Sequence, residues 1–199
     1  MLSSSINVYS LLSYDIAKKK GVNSRPARQE NELARRQAAF AEKGVRRTVQ
    51  GVLLVHQHGF PCVLVLHGPS EKKWSLPGGR LRPGEEERSG LQRKLNSRLR
   101  LEEEQDQVEW EIGEVLATWF RPEFLDYELF PYCPPHISQP KEVRTVFLVR
   151  LPENLVFHHN ADQELVAVPL FSLERNSAQY GPVISSLPEQ LSRFTINTL

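Results

Sequence analysis

One stretch of the sequence, LPGGRLRPGEEERSGLQRKLNSRLRL from residue 76 to residue 101, constrains the fold more than any other. Prolines and glycines form two tight turns at its start, and from Glu85 onward apolar side chains recur at helical spacing, as Leu91, Leu95 and Leu99. Acidic residues open the predicted helix and basic residues close it, which suits the helix macrodipole. A glycine-rich loop that feeds a helix N-terminus can bind anions, so the stretch points first to phosphate chemistry.

The spacing of Gly79, Glu85 and Arg93 resembles the Nudix box, which would span residues 79–101. The resemblance implies an α/β fold, a Nudix-type α/β/α sandwich with a mixed sheet, which here carries an N-terminal extension. In active Nudix enzymes the helix of the box holds Mg²⁺ against a pyrophosphate, and such a hard cation needs oxygen ligands. The residues at the ligand positions therefore decide whether the chain keeps the chemistry of the box.

The positions that carry the metal-binding glutamates of the box are Lys94, Ser97 and Arg98 in this chain. They are related as i, i+3 and i+4, so they share one face of the helix, and two of them would repel a metal ion. We therefore predict that the protein is not an enzyme, with no catalytic residue, no metal site and no cofactor. Acidic ligands displaced to Glu102 and its neighbours are the alternative, but pairing of Glu102 with Arg98 is the simpler interpretation.

The chain has 199 residues and a net charge of +1, which suits one globular domain with an extension. Proteins that bind long polyanions by counterion release carry a marked basic excess, but reading a few nucleotides by stacking needs little net charge. Cys62 and Cys133 lack metal-ligand spacing, so we expect both to be buried and reduced. We find no secretory signal or membrane-spanning stretch, which predicts a nuclear or cytoplasmic protein without membrane contact.

We divide the chain into an N-terminal arm and helix over residues 1–44 and a Nudix-like domain over residues 45–199. In the first part, an apolar run around residue 6 predicts a short strand or arm, and residues 30–43 predict a helix that Gly44 ends. Four arginines bracket this helix, and a solvated basic face is the favoured interpretation over an RNA contact. These arginines are Arg35, Arg36, Arg46 and Arg47.

In the second part, apolar β-branched runs at residues 48–56 and 61–67 predict a hairpin of central strands. The other predicted elements are strands over 108–120, 143–151 and 165–171, and a final helix over 186–194 with Pro188 in its first turn. Between them, residues 121–141 are irregular and rich in proline and aromatic side chains. A loop of that length and composition favours a functional role over disorder.

Beyond the box, the chain resembles one Nudix family, the small subunit of pre-mRNA cleavage factor I, also called cleavage and polyadenylation specificity factor subunit five. The most specific matching segments are INVYSLLSYD, GVRRTVQGVLLVHQH, LPGGRLRPGE, WFRPEF, FPYCPPHISQPKE and YGPVISSLPEQLSRF. The resemblance implies a nuclear, non-catalytic homodimer that binds UGUA elements of mRNA precursors. It also implies docking of a larger subunit through that subunit's RNA-recognition-motif domain, with poly(A) polymerase as a further candidate partner.

The resemblance also implies RNA-contacting positions, which we carry over residue by residue. Leu76, Tyr180 and Gly181 match the family. The ring expected to stack on a base is replaced by Lys73, which leaves Trp74 as an aromatic side chain that either stacks or belongs to the core.

Other contact positions depart from the family. Gln50 replaces an RNA-contacting glutamate and keeps an acceptor while it gains donors, whereas Ser24 and Glu32 replace a glutamate and an arginine that read bases. Lys72 and Lys73 could hold phosphates instead. We therefore predict RNA binding with reduced or altered specificity. An assembly subunit without RNA binding, or a Nudix hydrolase with displaced metal ligands, are the alternatives.

Overall fold

A computed structural model of the chain describes residues 5–19, 32–68, 74–99, 108–124, 128–160 and 162–199. The strands are β1 (Ser5–Val8), β2 (Tyr14–Lys18), β3 (Arg46–Gln57), β4 (Phe60–His67), β5 (Trp74–Ser75), β6 (Gly78–Arg80), β7 (Glu111–Arg121), β8 (Glu142–Arg150), β9 (Leu155–His159), β10 (Glu164–Pro169) and β11 (Thr195–Thr198). The helices are α1 (Glu32–Lys43), α2 (Glu87–Leu99), α3 (Leu170–Leu173), α4 (Ser177–Tyr180), α5 (Pro182–Ser185) and α6 (Leu187–Leu191). None of these helices is long and apolar enough to cross a membrane.

A mixed sheet of seven strands forms the centre of the molecule. Strands β10, β4, β3, β8 and β7 follow one another across it, β5 pairs with β4 and β6 pairs with β3. Only β3 and β8 run parallel within this sheet. The predicted hairpin of β3 and β4 is confirmed. It turns at His58 and Gly59, whose φ angles of 52° and 81° are the two positive values that a two-residue turn between twisted strands favours.

Successive side chains of β3 point to opposite faces of the sheet, and the hydrophobic core divides in the same way. Val52 and Leu54 pack with residues of α3, α5 and α6, on a side that we call the α6 face. Leu53 and Val55 pack with Leu91 and its neighbours on α2, on a side that we call the α2 face. The predicted α/β/α sandwich with a mixed sheet is confirmed.

The N-terminal strands are paired with strands from the end of the chain. β1 lies parallel to β11, and its side chains Ile6 and Val8 are buried in the core. β2 lies parallel to β9, where the ring of Tyr14 packs against that of Phe157. The predicted apolar arm is thus a strand in the core of the domain, whereas the division at residue 44 stays a prediction.

Two helix boundaries were wrong in the sequence interpretation. Helix α2 begins at Glu87 instead of Glu85, because the carboxylate of Glu85 braces the preceding loop. The helix predicted over residues 186–194 is the short α6, and the chain continues as β11 because its backbone pairs with β1. This pairing joins residues at the two ends of the chain, so no local periodicity could indicate it.

Several smaller expectations have clear outcomes. Helix α1 ends before Gly44 as predicted, and the φ of 70° at Gly44 is one that glycine adopts without strain. The described residues between β7 and β8 contain no helix or strand, although Phe130 forms a single bridge to Phe120. Cys62 is buried as expected, but Cys133 is only half-buried.

Candidate nucleic-acid interface

Glu85 fastens the glycine-rich loop to helix α2. Its two carboxylate oxygens accept hydrogen bonds from Arg93 at 2.7 and 2.6 Å, and one of them also accepts from the backbone N–H of Arg82 at 2.7 Å. The hydrogen bonds from Arg93, followed by the one from Arg82, lower the pKa of Glu85 to about 2. Both oxygens are therefore committed to holding the loop, which gives Glu85 a structural role.

The helix face that would hold a metal ion in a Nudix enzyme carries the wrong chemistry for one. The side chain of Lys94 lies along the loop, so that a Cβ built on Gly79 would be 3.5 Å from Lys94 Nζ. Burial, together with repulsion from neighbouring arginines, lowers the pKa of Lys94. Ser97 is exposed, and Arg98 donates a hydrogen bond to Gln163 at 3.4 Å. Lys94, Ser97 and Arg98 therefore do not fit Mg²⁺.

Acidic ligands from other parts of the chain could in principle replace the missing glutamates. Within the part of the chain that the structure describes, no group of three or more His, Cys, Asp or Glu side chains is arranged to hold a metal ion. The alternative ligand Glu102 lies outside the described residues.

The opposite face of the sheet carries a group of three rings, His67, Trp74 and Tyr180, which we call the aromatic cluster. Trp74 pairs with His67 across β5 and β4, and their rings stack with centroids 4.1 Å apart and planes 19° apart. The ring of Tyr180 meets Trp74 at 62° with centroids 5.0 Å apart. All three side chains are half-buried, so the cluster presents ring surface to solvent. His67 covers one face of Trp74 and so leaves less of that ring for a stacked ligand.

Gln50 places a buried amide against Leu76, two residues after Trp74 of the aromatic cluster. Its side chain is 7% exposed, and Nε2 donates a hydrogen bond to the carbonyl oxygen of Leu76 at 3.4 Å. Gln50 Oε1 and His67 Nε2 are buried, and neither has a hydrogen-bond partner among the described residues. A buried polar atom without a partner costs about 1–3 kcal/mol. A polar ligand that reached these two atoms would supply hydrogen-bond partners that the described residues do not.

Gly181 places the end of α4 next to the aromatic cluster. Its φ and ψ of 79° and 166° lie in a region that is essentially restricted to glycine. A side chain at this position would meet no other atom within 4 Å, so the backbone here faces open space. Gly181 thus lets the chain turn from Tyr180 into α5 while it leaves the backbone accessible.

The structure brings together five of the predicted site residues: Gln50, Trp74, Leu76, Tyr180 and Gly181. Ser24, Lys72 and Lys73 lie outside the described residues, and of Glu32 only its position at the start of α1 is described. Sequence reasoning missed His67. The short connection from β4 to the loop before the box could have indicated that residues 67 and 74 face each other.

A cleft of about 480 Å³ also lies at the N-terminus of α2, on the α2 face. Its lining residues are Arg47, Gly84, Glu85, Glu86, Glu87, Arg88, Val115 and Phe147. Charged side chains in it are engaged within the fold: Arg47 contacts Glu87 at 3.0 Å, and Arg88 donates a hydrogen bond to the carbonyl oxygen of Ile112. It therefore offers less to a ligand than the unsatisfied atoms on the α6 face.

A family model described as a nucleotide hydrolase, NUDIX_2, matches residues 4–194 of the chain. The pre-mRNA cleavage factor Im 25 kDa subunit 2 of Arabidopsis thaliana is 42% identical over 199 residues, which cover 100% of this chain and 98% of that protein. Cleavage and polyadenylation specificity factor subunit 5 of Dictyostelium discoideum is 37% identical over 195 residues, which cover 96% of each chain. The chain therefore belongs to the Nudix family of cleavage-factor small subunits.

Structural similarity to other Nudix proteins shows the fold of this small-subunit family member. The Nudix domain of Shewanella oneidensis NrtR, crystallised with ADP ribose, matches with a TM-score of 0.50 and 18% identity, over 80% of this chain and 98% of that one. The family model is described by hydrolysis, whereas the similar full-length proteins are named as cleavage-factor subunits. The residues on α2 that do not fit Mg²⁺ are consistent with the names of the subunits, which do not mention hydrolysis.

Proposed function

We propose that this small-subunit family member acts in pre-mRNA 3′-end processing as a non-catalytic subunit that binds RNA. The names of its relatives support the role in 3′-end processing. The observation that carries the RNA-binding part is the buried, unsatisfied Oε1 of Gln50 beside the aromatic cluster. Aromatic rings supply sequence-tolerant stacking to single-stranded RNA, and a fixed amide adds hydrogen bonds to the edge of a stacked base.

The amide of Gln50 can form a pair of hydrogen bonds with the Watson–Crick edge of a base, for example uracil or guanine. Each of these bases has a ring N–H beside a carbonyl oxygen, which matches the acceptor and donor of an amide side chain. Gln50 Oε1 would accept the ring N–H, and the second hydrogen of Nε2 would be donated to the base carbonyl. Adenine and cytosine likewise place an amino N–H beside an acceptor nitrogen, so the amide holds a base edge without selecting the base, and the preference for UGUA-like elements is inferred from the family.

The partners of the protein are inferred from the family to which it belongs. We infer that the protein forms a homodimer in the nucleus and docks a larger subunit that contains an RNA-recognition motif, with poly(A) polymerase as a further partner. The naming of the relatives as subunits supports an assembled state. In an assembly of this kind, a symmetric pair of Nudix domains would present two RNA sites.

Titration with labelled oligonucleotides tests the RNA function. We expect tighter binding of an oligonucleotide with UGUA than of one with the same bases in scrambled order, as measured by fluorescence anisotropy. The variant Gln50→Leu, which removes the amide at similar size, should weaken binding of the UGUA oligonucleotide while leaving the thermal unfolding cooperative. Equal affinities for the two wild-type complexes would contradict base recognition.

Two other outcomes would select the alternative functions. Co-purification with the larger subunit, without binding of either oligonucleotide, would identify an assembly subunit. The hydrolase alternative has the description of the family model in its favour. Turnover of a dinucleoside polyphosphate with Mg²⁺ or Mn²⁺, lost in Glu85→Gln, would establish it.

A further inference from the structure

Polar side chains cross the sheet next to Gln50, on the α6 face and toward the start of β3. Alternation along β3 places Arg46 and Thr48 on the same face as Gln50, and directly paired residues share a face of a sheet. The first row consists of Arg46, Glu142 and Arg121, and the second consists of Arg80, Thr48, Arg144 and Trp119. We call Arg46, Arg121 and Arg144 the arginine cluster.

Among the described residues, the arginine cluster carries more positive charge than its ion-pair partners neutralise. Glu142, only 2% exposed, is the carboxylate at its centre, with Arg144 at 3.0 Å, Arg121 at 3.2 Å and Arg46 at 3.9 Å. Three cations around one anion leave two positive charges among these four side chains. Burial pushes the pKa of Glu142 upward, but the three arginines together bring it below its ordinary value.

The cluster also has more hydrogen-bond donors than acceptors. The Nε atoms of Arg46, Arg121 and Arg144 and the Nε1 atom of Trp119 are buried, and none donates to an acceptor among the described residues. Buried donors without acceptors are unfavourable, and an anion supplies acceptors that bind guanidinium groups strongly. The site can be reached from solvent, because the side chains of Arg46 and Arg144 are 43% and 20% exposed.

We propose that the arginine cluster binds a phosphodiester of the RNA strand whose base is held at Gln50. This inference rests on the proposed RNA function and adds the direction of the strand, from the aromatic cluster toward the start of β3. Thr48 and Arg46 lie about 7 and 13 Å from Gln50 along the strand, within reach of the phosphates that flank a bound base. Phosphate contacts position a strand and carry no base preference of their own.

A salt titration of Arg46→Gln tests this inference. We expect the variant to bind the UGUA and scrambled oligonucleotides about three- to tenfold more weakly, with an unchanged ratio between them. The slope of log affinity against log salt should become shallower by about 0.7, the value for one lost contact to a single strand. The matched control is Arg150→Gln, at the far end of β8, where Arg150 is 40% exposed and pairs with Glu111 at 2.7 Å. Arg150→Gln removes the same charge and should change neither the affinity nor the slope against log salt.

A second variant gives a change of the opposite sign. Glu142→Gln keeps the size of the side chain but removes the one negative charge of the cluster, so both oligonucleotides should bind more tightly and with a steeper salt slope. If Arg46→Gln behaves like Arg150→Gln, or if Glu142→Gln does not strengthen binding, the phosphate site is overturned. A UGUA preference in the wild type would then leave the proposed function intact. A wild type that binds neither oligonucleotide would overturn both.

Discussion

Two polar side chains near the glycine-rich loop, Glu85 and Gln50, differ in whether their oxygen atoms already accept hydrogen bonds. This difference separates a structural role from a role in ligand binding. Glu85 has both oxygens occupied by Arg93 and Arg82, so a ligand would have to break existing bonds to use it. Gln50 is more deeply buried than Glu85, yet its Oε1 accepts nothing among the described residues. The sequence marked both positions as family positions, but only the hydrogen bonds assign them different roles.

The pairing of Glu85 with Arg93 predicts a pH-dependent contribution to stability. Because the pKa of Glu85 is about 2 in the folded protein and near 4.5 without its partners, its contribution is present above pH 4.5 and is lost as the pH falls toward 2. Glu85→Gln should therefore lower the free energy of unfolding by about 1–2 kcal/mol at pH 7 and by less at pH 3, measured by urea denaturation.

The control for this prediction is Glu111→Gln. Glu111 also contacts an arginine, Arg150, at 2.7 Å, but its side chain is 66% exposed. Solvent screens such a pair, so the substitution should change the stability by less than about 1 kcal/mol at either pH. A Glu85→Gln loss that does not shrink at low pH would contradict the assigned cause.

At the scale of elements, local sequence patterns predicted the elements that form between residues close together in the sequence. The hairpin of β3 and β4 was predicted from a glycine turn between two β-branched runs, and α1 from composition and a terminal glycine. The pairing of Ser5 with Thr195 in β1 and β11 could not be predicted in this way, since it joins residues far apart in the sequence. The same holds for the aromatic cluster, because the approach of Tyr180 to Trp74 depends on how α4 packs against the sheet.

Strand β1 is expected to contribute substantially to stability, although the sequence interpretation assigned it to an N-terminal arm. Ile6 is 2% exposed and lies in the core of the α6 face, so Ile6→Ala should lower the free energy of unfolding by about 2–5 kcal/mol. The matched control is Leu12→Ala, because Leu12 is 93% exposed and its loss should change the stability by less than about 0.5 kcal/mol. Similar urea midpoints for Ile6→Ala and wild type would show that β1 is not part of the folded core.

In the whole molecule, the two faces of the central sheet carry different groups of residues. The α2 face carries the remains of the Nudix box, with Lys94 against the loop, and the α6 face carries Gln50, the aromatic cluster and the arginine cluster. With a net charge of +1 the chain as a whole is nearly neutral, so the local excess of positive charge matters more than the total. Substitutions on the α2 face should therefore leave the proposed RNA recognition on the α6 face intact.

Restoring carboxylates on the α2 face tests this separation. In the combined variant Lys94→Glu, Ser97→Glu, Arg98→Glu, three acidic side chains would share one face of α2, so Mn²⁺ should raise its melting temperature by binding the folded state. Wild type and the neutral control Lys94→Gln, Ser97→Ala, Arg98→Gln should show no such shift. The ratio of affinities for UGUA and scrambled oligonucleotides should be the same in all three proteins, because exposed charges on opposite faces are screened at physiological salt. A ratio that falls only in the acidic variant would show that the two faces are coupled through the sheet.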